Sequence, residues 1–157
     1  MRKKLKDGIF ILFPLFVGLL AGFISRSGMN VYDSVKTSPL SPPGWLFPIV
    51  WTVLYLLMGI GAYIVTVKSK EKNIDDKSAL SCYFLQLFFN FVWSIVFFNF
   101  RGYFTALLVI AVLWVLIIKM ILEFNKISPL AAYLQIPYLL WVTFAAYLNL
   151  SILILNR

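Results

Sequence analysis

Two amides and two aromatic side chains recur at helical spacing within one long apolar stretch of the sequence. They occupy positions i, i+4, i+7 and i+11, so a helix carries all of them on one face: Gln86, Asn90, Trp93 and Phe97. An amide in hydrocarbon is unfavourable unless it finds a partner, so amides in membrane helices either join helices or line a site. The tryptophan beside them favours a site where a flat molecule stacks on rings and is oriented by one or two hydrogen bonds.

Two further apolar stretches carry aromatic faces. In the first, Trp51 and Tyr55 lie one helical turn apart. In the second, Tyr138 and Trp141 share one sector of a helix. Three such faces would wall a cavity for a large flat apolar molecule, with the two amides as sparse donors, and tetrapyrroles have that shape. The alternative is that these rings are core and membrane-interface residues of an aromatic-rich bundle.

The apolar stretches hold no set of residues with evident catalytic chemistry. The chain has no histidine and one cysteine, Cys82, which we interpret as a small buried hydrophobic residue. We therefore predict no metal, no cofactor and no acid–base or nucleophilic catalysis. Acidic residues lie only in loops or at the ends of the apolar stretches, which argues against an ion-driven carrier and leaves passive passage of an apolar ligand open.

These faces must be positioned by membrane-spanning helices. Of the 157 residues, 62% are hydrophobic, and the mean hydropathy is +0.91, whereas soluble domains are about half apolar. Long uncharged runs without strand-like alternation favour helices over a barrel. We predict an all-α integral membrane protein, a single domain over residues 1–157, with five spans: about 9–26, 45–67, 78–100, 103–125 and 128–154.

The net charge of +8 indicates how the chain is oriented in the membrane and does not indicate nucleic-acid binding, because the basic residues flank the apolar runs. In the predicted arrangement, ten Lys and Arg residues fall on the side of the N-terminus and four on the other side. The positive-inside rule then predicts a cytoplasmic N-terminus and an external C-terminus. We predict a bacterial plasma membrane as the location.

The segment between the first two spans, residues 27–44, is long for a connection and rich in proline. We predict that it forms an external lid over an internal ligand pocket made by the first, second, third and fifth spans. In the first span, Gly18 and Gly22 form a small-xxx-small pattern that lets another helix approach closely. That neighbour is either internal or a second subunit, so a homodimer stays open.

Three sequence motifs, in their order along the chain, resemble those of a known protein family. Residues 42–55 read Pro-Pro-Gly-x-x-x-Pro-x-x-Trp-x-x-Leu-Tyr, and two further blocks follow at Gln86–Ser94 and Pro137–Asn149. Together they resemble the tryptophan-rich sensory protein family, whose animal members are called the translocator protein or peripheral benzodiazepine receptor. The resemblance extends from about residue 32 to residue 149.

This resemblance implies a membrane receptor or sensor for porphyrins, notably protoporphyrin IX, and for benzodiazepine-site ligands. It implies Trp51 and Asn90 as polar contacts. It also implies lid and wall positions: Tyr32, Pro42 and Pro43 in the lid, and Tyr55, Trp93, Tyr138, Trp141, Phe144 and Ala145 in the wall. Alternatives are light-dependent degradation of protoporphyrin IX, which would use Trp51 and Trp141, or passive transport of a porphyrin or sterol. The tyrosine and arginine of the animal cholesterol motif are missing after Leu148-Asn149.

Overall fold

A computed structural model describes residues 2–28 and 30–157, except for the side chains of residues 2–7 and 32. The described chain is helical and contains no strand. Its α-helices follow in this order: α1 (Arg2–Ser25), α2 (Val31–Ser34), α3 (Leu46–Lys72), α4 (Lys77–Phe98), α5 (Tyr103–Ile127), α6 (Pro129–Tyr133) and α7 (Ile136–Leu155). Five segments are long and apolar enough to cross a membrane, with α6 and α7 together forming the fifth. The prediction of an all-α membrane protein with five spans is confirmed.

Helix α3 is longer than the charge pattern predicts. The predicted span ends at residue 67, whereas the helix continues through a lysine-rich turn to Lys72. Lysine is a good helix former, and its long side chain carries the charge away from the apolar part of the helix. The helix ends where Asn73 adopts a left-handed conformation with φ of 52°, and the Ile74 amide donates to the Ser69 carbonyl at 2.9 Å.

The fifth span begins as predicted but is interrupted. The hydroxyl of Ser128 caps α6 by accepting from the Ala131 amide at 3.5 Å, and Pro129 follows at the first helical position. Pro137 falls inside the predicted fifth span, where a proline would be expected to bend a continuous helix. Instead α6 ends at Tyr133 and α7 begins at Ile136. Proline has no N–H to offer the carbonyl four residues before it, and that carbonyl belongs to Tyr133.

Proline in α1 has a different outcome, because a neighbouring helix replaces the lost bond. Pro14 lies inside an unbroken helix and cannot donate to the carbonyl of Phe10. The hydroxyl of Tyr83 on α4 donates to that carbonyl at 3.3 Å. A backbone oxygen that has no water available in a bilayer is thereby satisfied.

The spanning helices form a closed ring in which α3 and α4 both pack against α1. Helix α5 packs against α4 on one side and against α6 and α7 on the other, and α6 returns to α3. Gly59 permits a close approach of α3 to α1, since a Cβ there would collide with the backbone of Ile11. Inside the ring, a space remains between α1, α3, α4 and α7. It lies at the end of the bundle where residues 27–45 connect α1 to α3.

The connection is fixed to the end of α7. The side chain of Asn156 accepts from the Lys36 amide and donates to the Lys36 carbonyl, both at 2.9 Å. Two residues further along the chain, the hydroxyl of Ser38 lies 2.7 Å from that of Tyr147. Val31 in the short helix α2 is fully buried. Residues 31–38 are thus an ordered part of the fold.

Candidate ligand cavity

A cavity of about 350 Å³ lies between four of the spanning helices at the end of the connecting segment. Its volume falls at the lower end of the roughly 300–1,000 Å³ range of small-molecule sites. Helices α1, α3, α4 and α7 supply all of its described lining: Leu15, Gly18, Leu19, Ala21, Gly22, Phe23, Phe47, Pro48, Trp51, Thr52, Tyr55, Asn90, Trp93, Ser94, Phe98, Trp141, Ala145 and Leu148. These are the four helices that the sequence predicts for the pocket.

Three tryptophans form the aromatic wall, one from each of α3, α4 and α7. Trp51 stacks on Tyr55 with ring centroids 5.5 Å apart, and Trp93 stacks on Phe97 at 5.3 Å. The ring of Trp141 meets Phe47 at 5.8 Å in an edge contact. Because these rings are held by other rings, their faces toward the cavity are fixed before a ligand arrives.

The closeness of α1 to this wall depends on Gly18. A Cβ at this position would overlap the ring of Tyr55. At Gly22, by contrast, a Cβ would meet nothing within 4 Å, and this glycine borders open cavity space. The small-xxx-small pattern of α1 therefore faces an internal neighbour, α3, and the cavity.

A chain of buried hydrogen bonds runs beneath the wall. The hydroxyl of Tyr55 donates to the Asn90 side-chain oxygen at 3.2 Å, and the Asn90 amide donates to the Tyr138 hydroxyl at 2.8 Å. That hydroxyl donates to the Gln86 oxygen at 2.7 Å, and the Gln86 amide reaches the sulfur of Met58 at 3.6 Å. The chain joins α3, α4 and α7 at one level of the bundle.

Asn90 is the strongly polar side chain that both belongs to this chain and lines the cavity. A side-chain amide has two N–H donors and an oxygen with two lone pairs. Asn90 uses one donor on Tyr138 and one lone pair on Tyr55. One N–H and one lone pair stay available to a ligand. The indole N–H of Trp93 is already committed to the oxygen of Asn149 at 3.1 Å, so Trp93 offers only its ring.

The cavity opens through the side of the bundle. Two α1 residues of its lining, Leu19 and Phe23, are 74% and 67% exposed. Pro48 and Thr52 on α3 are exposed as well, whereas no lining residue of α4 or α7 is. The opening therefore lies between α1 and α3, on the surface that a bilayer would cover with acyl chains. The described lining contains no charged side chain.

The structure brings part of the predicted site together around this space. The lining includes six of the predicted ligand-contact residues: Trp51, Tyr55, Asn90, Trp93, Trp141 and Ala145. Gln86 and Tyr138 are on the predicted faces but lie deeper, fully buried and bonded to each other. They support Asn90 instead of lining the cavity.

Other predicted contacts are displaced from the lining. Phe97 lies behind Trp93 and meets Tyr103 of α5 at 5.4 Å. Phe144 stacks on Tyr147 at 6.2 Å, further round α7. Pro42 and Pro43 are not among the described lining residues of the cavity. The side chain of Tyr32 lies outside the described residues.

Sequence reasoning placed α1 beside the pocket but named none of its residues as ligand contacts. This helix supplies six of the lining residues, among them Leu15, Leu19 and Phe23. Aliphatic residues in a membrane helix have no distinctive spacing, because lipid-facing and cavity-facing positions have the same composition. The available signal is the pair of glycines, of which Gly22 stands beside the cavity.

The fold and the cavity define a polytopic α-helical membrane protein with an internal aromatic cavity that opens between α1 and α3. The chain belongs to the TspO/MBR family, whose profile matches residues 10–155. It is 38% identical over 134 residues to the tryptophan-rich protein TspO of Chlorobaculum tepidum, covering 85% of this chain and 84% of the relative. It is 37% identical over 125 residues to the tryptophan-rich sensory protein of Cereibacter sphaeroides (80% and 76% coverage). The human translocator protein is 31% identical over 134 residues (85% and 78% coverage).

Proposed function

We propose that this protein is a membrane sensor that binds flat apolar ligands of the porphyrin class in the cavity beside Asn90. The observation that carries the proposal is the wall of Trp51, Trp93 and Trp141 around one space with a single amide at its side. Such a wall matches the face of a conjugated macrocycle, and the free N–H and lone pair of Asn90 match its sparse polar atoms. Relatives named for sensing and for translocation support a ligand-handling role.

Quenching of tryptophan fluorescence by protoporphyrin IX tests the proposal in purified protein. Trp51→Phe removes part of the stacking surface and the indole N–H, so we expect about three- to tenfold weaker binding. Gly22→Leu fills the cavity without a collision of its Cβ, and we expect it to remove most binding.

Matched controls separate the cavity from the rest of the protein. Trp114→Phe makes the same exchange at a tryptophan outside this cavity, and Gly8→Leu adds the same bulk to α1 at a glycine with equally free surroundings. Both should bind as the wild type does. Equal affinities in all five proteins would refute the assignment of the cavity.

We also propose that the N-terminus is cytoplasmic and that residues 27–45 face the outside of a bacterial plasma membrane. The support is the excess of basic residues at the N-terminal side and the odd number of spans. Because Cys82 is buried, a cysteine introduced at Lys36 or at Lys70 would be the accessible thiol. A membrane-impermeant maleimide on intact cells should label the variant at Lys36 and spare the one at Lys70. The reverse pattern would invert the topology.

A further inference from the structure

One cation stands at the edge of the uncharged cavity. The guanidinium carbon of Arg26 lies 5.1 Å from the ring centroid of Phe23, a residue that lines the cavity at its opening. Nearby, the hydroxyl of Ser25 lies 3.4 Å from that of Ser94, which also lines the cavity. The end of α1 that carries Arg26 is thereby held against the mouth. The described residues give Arg26 no ion pair and no hydrogen bond from its side chain.

The distribution of charge restricts which ligand fits. An ionised carboxylate inside the cavity would lose its hydration without meeting a cation, which is strongly unfavourable. A ligand with an apolar body and an acidic group would therefore keep the acidic group at the opening. There the Arg26 guanidinium offers a planar fork of donors that suits a carboxylate, on the side of the bundle that adjoins lipid.

We propose that Arg26 is a carboxylate-binding residue at the mouth of the cavity and that the ligand is a flat apolar acid. The acid's body stacks between the tryptophans, and its carboxylate lies on Arg26 at the membrane surface. This inference rests on the proposed function and adds the orientation and the charge of the ligand. The simpler alternative is that Arg26 only anchors α1 at the interface and packs on Phe23.

Protoporphyrin IX and its dimethyl ester separate these alternatives, because they share the ring and differ in the carboxylates. Both are titrated against full-length protein in nanodiscs of uncharged phosphatidylcholine. We expect Arg26→Gln to weaken binding of the acid about fivefold, as for an accessible ion pair, and to leave binding of the ester within twofold. Added salt should weaken the acid and not the ester on the wild type. Unchanged binding of the ester also shows that the variant is folded.

Arg101→Gln is the matched control, because it removes the same charge at the same end of the bundle from a residue that does not line the cavity. It should change neither affinity. Equal losses for acid and ester in Arg26→Gln would show a packing role, and no loss for either would show that Arg26 is not in contact with the ligand. Both results overturn the inference while leaving the proposed function intact. Failure of the wild type to bind either compound would overturn the proposed function itself.

Discussion

Asn90 joins two neighbouring helices and is also the amide of the proposed ligand site. Its amide joins a tyrosine of α3 to a tyrosine of α7, and its remaining N–H and lone pair are directed to no other described residue. The sequence predicts such a residue well, because a polar side chain in the middle of an apolar helix must have partners. Periodicity also places Gln86 and Tyr138 on the right faces. It specifies a face and not a depth, so it could not show that these two lie below the cavity.

We predict that Asn90→Ala lowers stability as well as ligand affinity. The substitution leaves the hydroxyls of Tyr55 and Tyr138 each without one buried partner. We expect a loss of about 1–2 kcal/mol, since hydrogen bonds between membrane helices contribute less than their burial suggests. Reversible unfolding in mixed micelles measures it.

Asn125→Ala is the control, because Asn125 is exposed on α5 and makes no side-chain hydrogen bond to the described residues. It should be within 0.5 kcal/mol of the wild type, as surface changes usually are. Combining Asn90→Ala with Tyr138→Phe should cost less than the sum of the two single changes. Strict additivity would mean that the bond between them contributes nothing.

Among the helices, the length of each uncharged run in the sequence predicts which segments span the membrane. It predicts poorly where the helices end. The extension of α3 to Lys72 and the interruption between α6 and α7 both occur where backbone hydrogen bonding, and not hydropathy, decides. Pro137 stops a helix whereas Pro14 does not. The difference lies in a partner: Tyr83 compensates the carbonyl freed by Pro14. No pattern within α1 contains that information.

The segment between α1 and α3 shows the same limit. Its length and prolines indicate an ordered connection, which the contacts of Lys36 and Ser38 with α7 provide. These contacts are about 110 to 120 residues apart in the chain and depend on the ring closing correctly. The prediction that Pro42 and Pro43 contact the ligand assumed that the loop folds over the cavity, and neither proline is among the described lining residues.

At the scale of the molecule, the order of helices around the ring is the feature that the sequence does not contain. Helix α3 packs against both α1 and α6, and this contact closes the bundle. Where α1 and α3 line the cavity, the cavity is open between them. A bilayer would cover this opening with acyl chains, so an apolar ligand dissolved in the bilayer would reach the cavity without crossing water. A ligand could then enter by one of two routes: laterally between α1 and α3, or beneath the segment that connects them.

We predict that ligand enters and leaves laterally. Thr52 is an exposed lining residue at the opening, so Thr52→Trp should slow association and release together and change the affinity little, as an obstruction outside the binding position does. Val53→Trp adds the same bulk one residue further on, at an exposed position outside the lining, and should leave both rates unchanged.

Replacing Pro42 and Pro43 with glycine tests the connecting segment. The change makes the segment more flexible but leaves the Asn156 contact with Lys36 in place, so the rate of ligand release should also be unchanged. Stopped-flow association and dissociation of protoporphyrin IX measure both rates in all three variants. Faster release from the glycine variant, with no effect of Thr52→Trp, would instead assign the route to the segment and make it a lid.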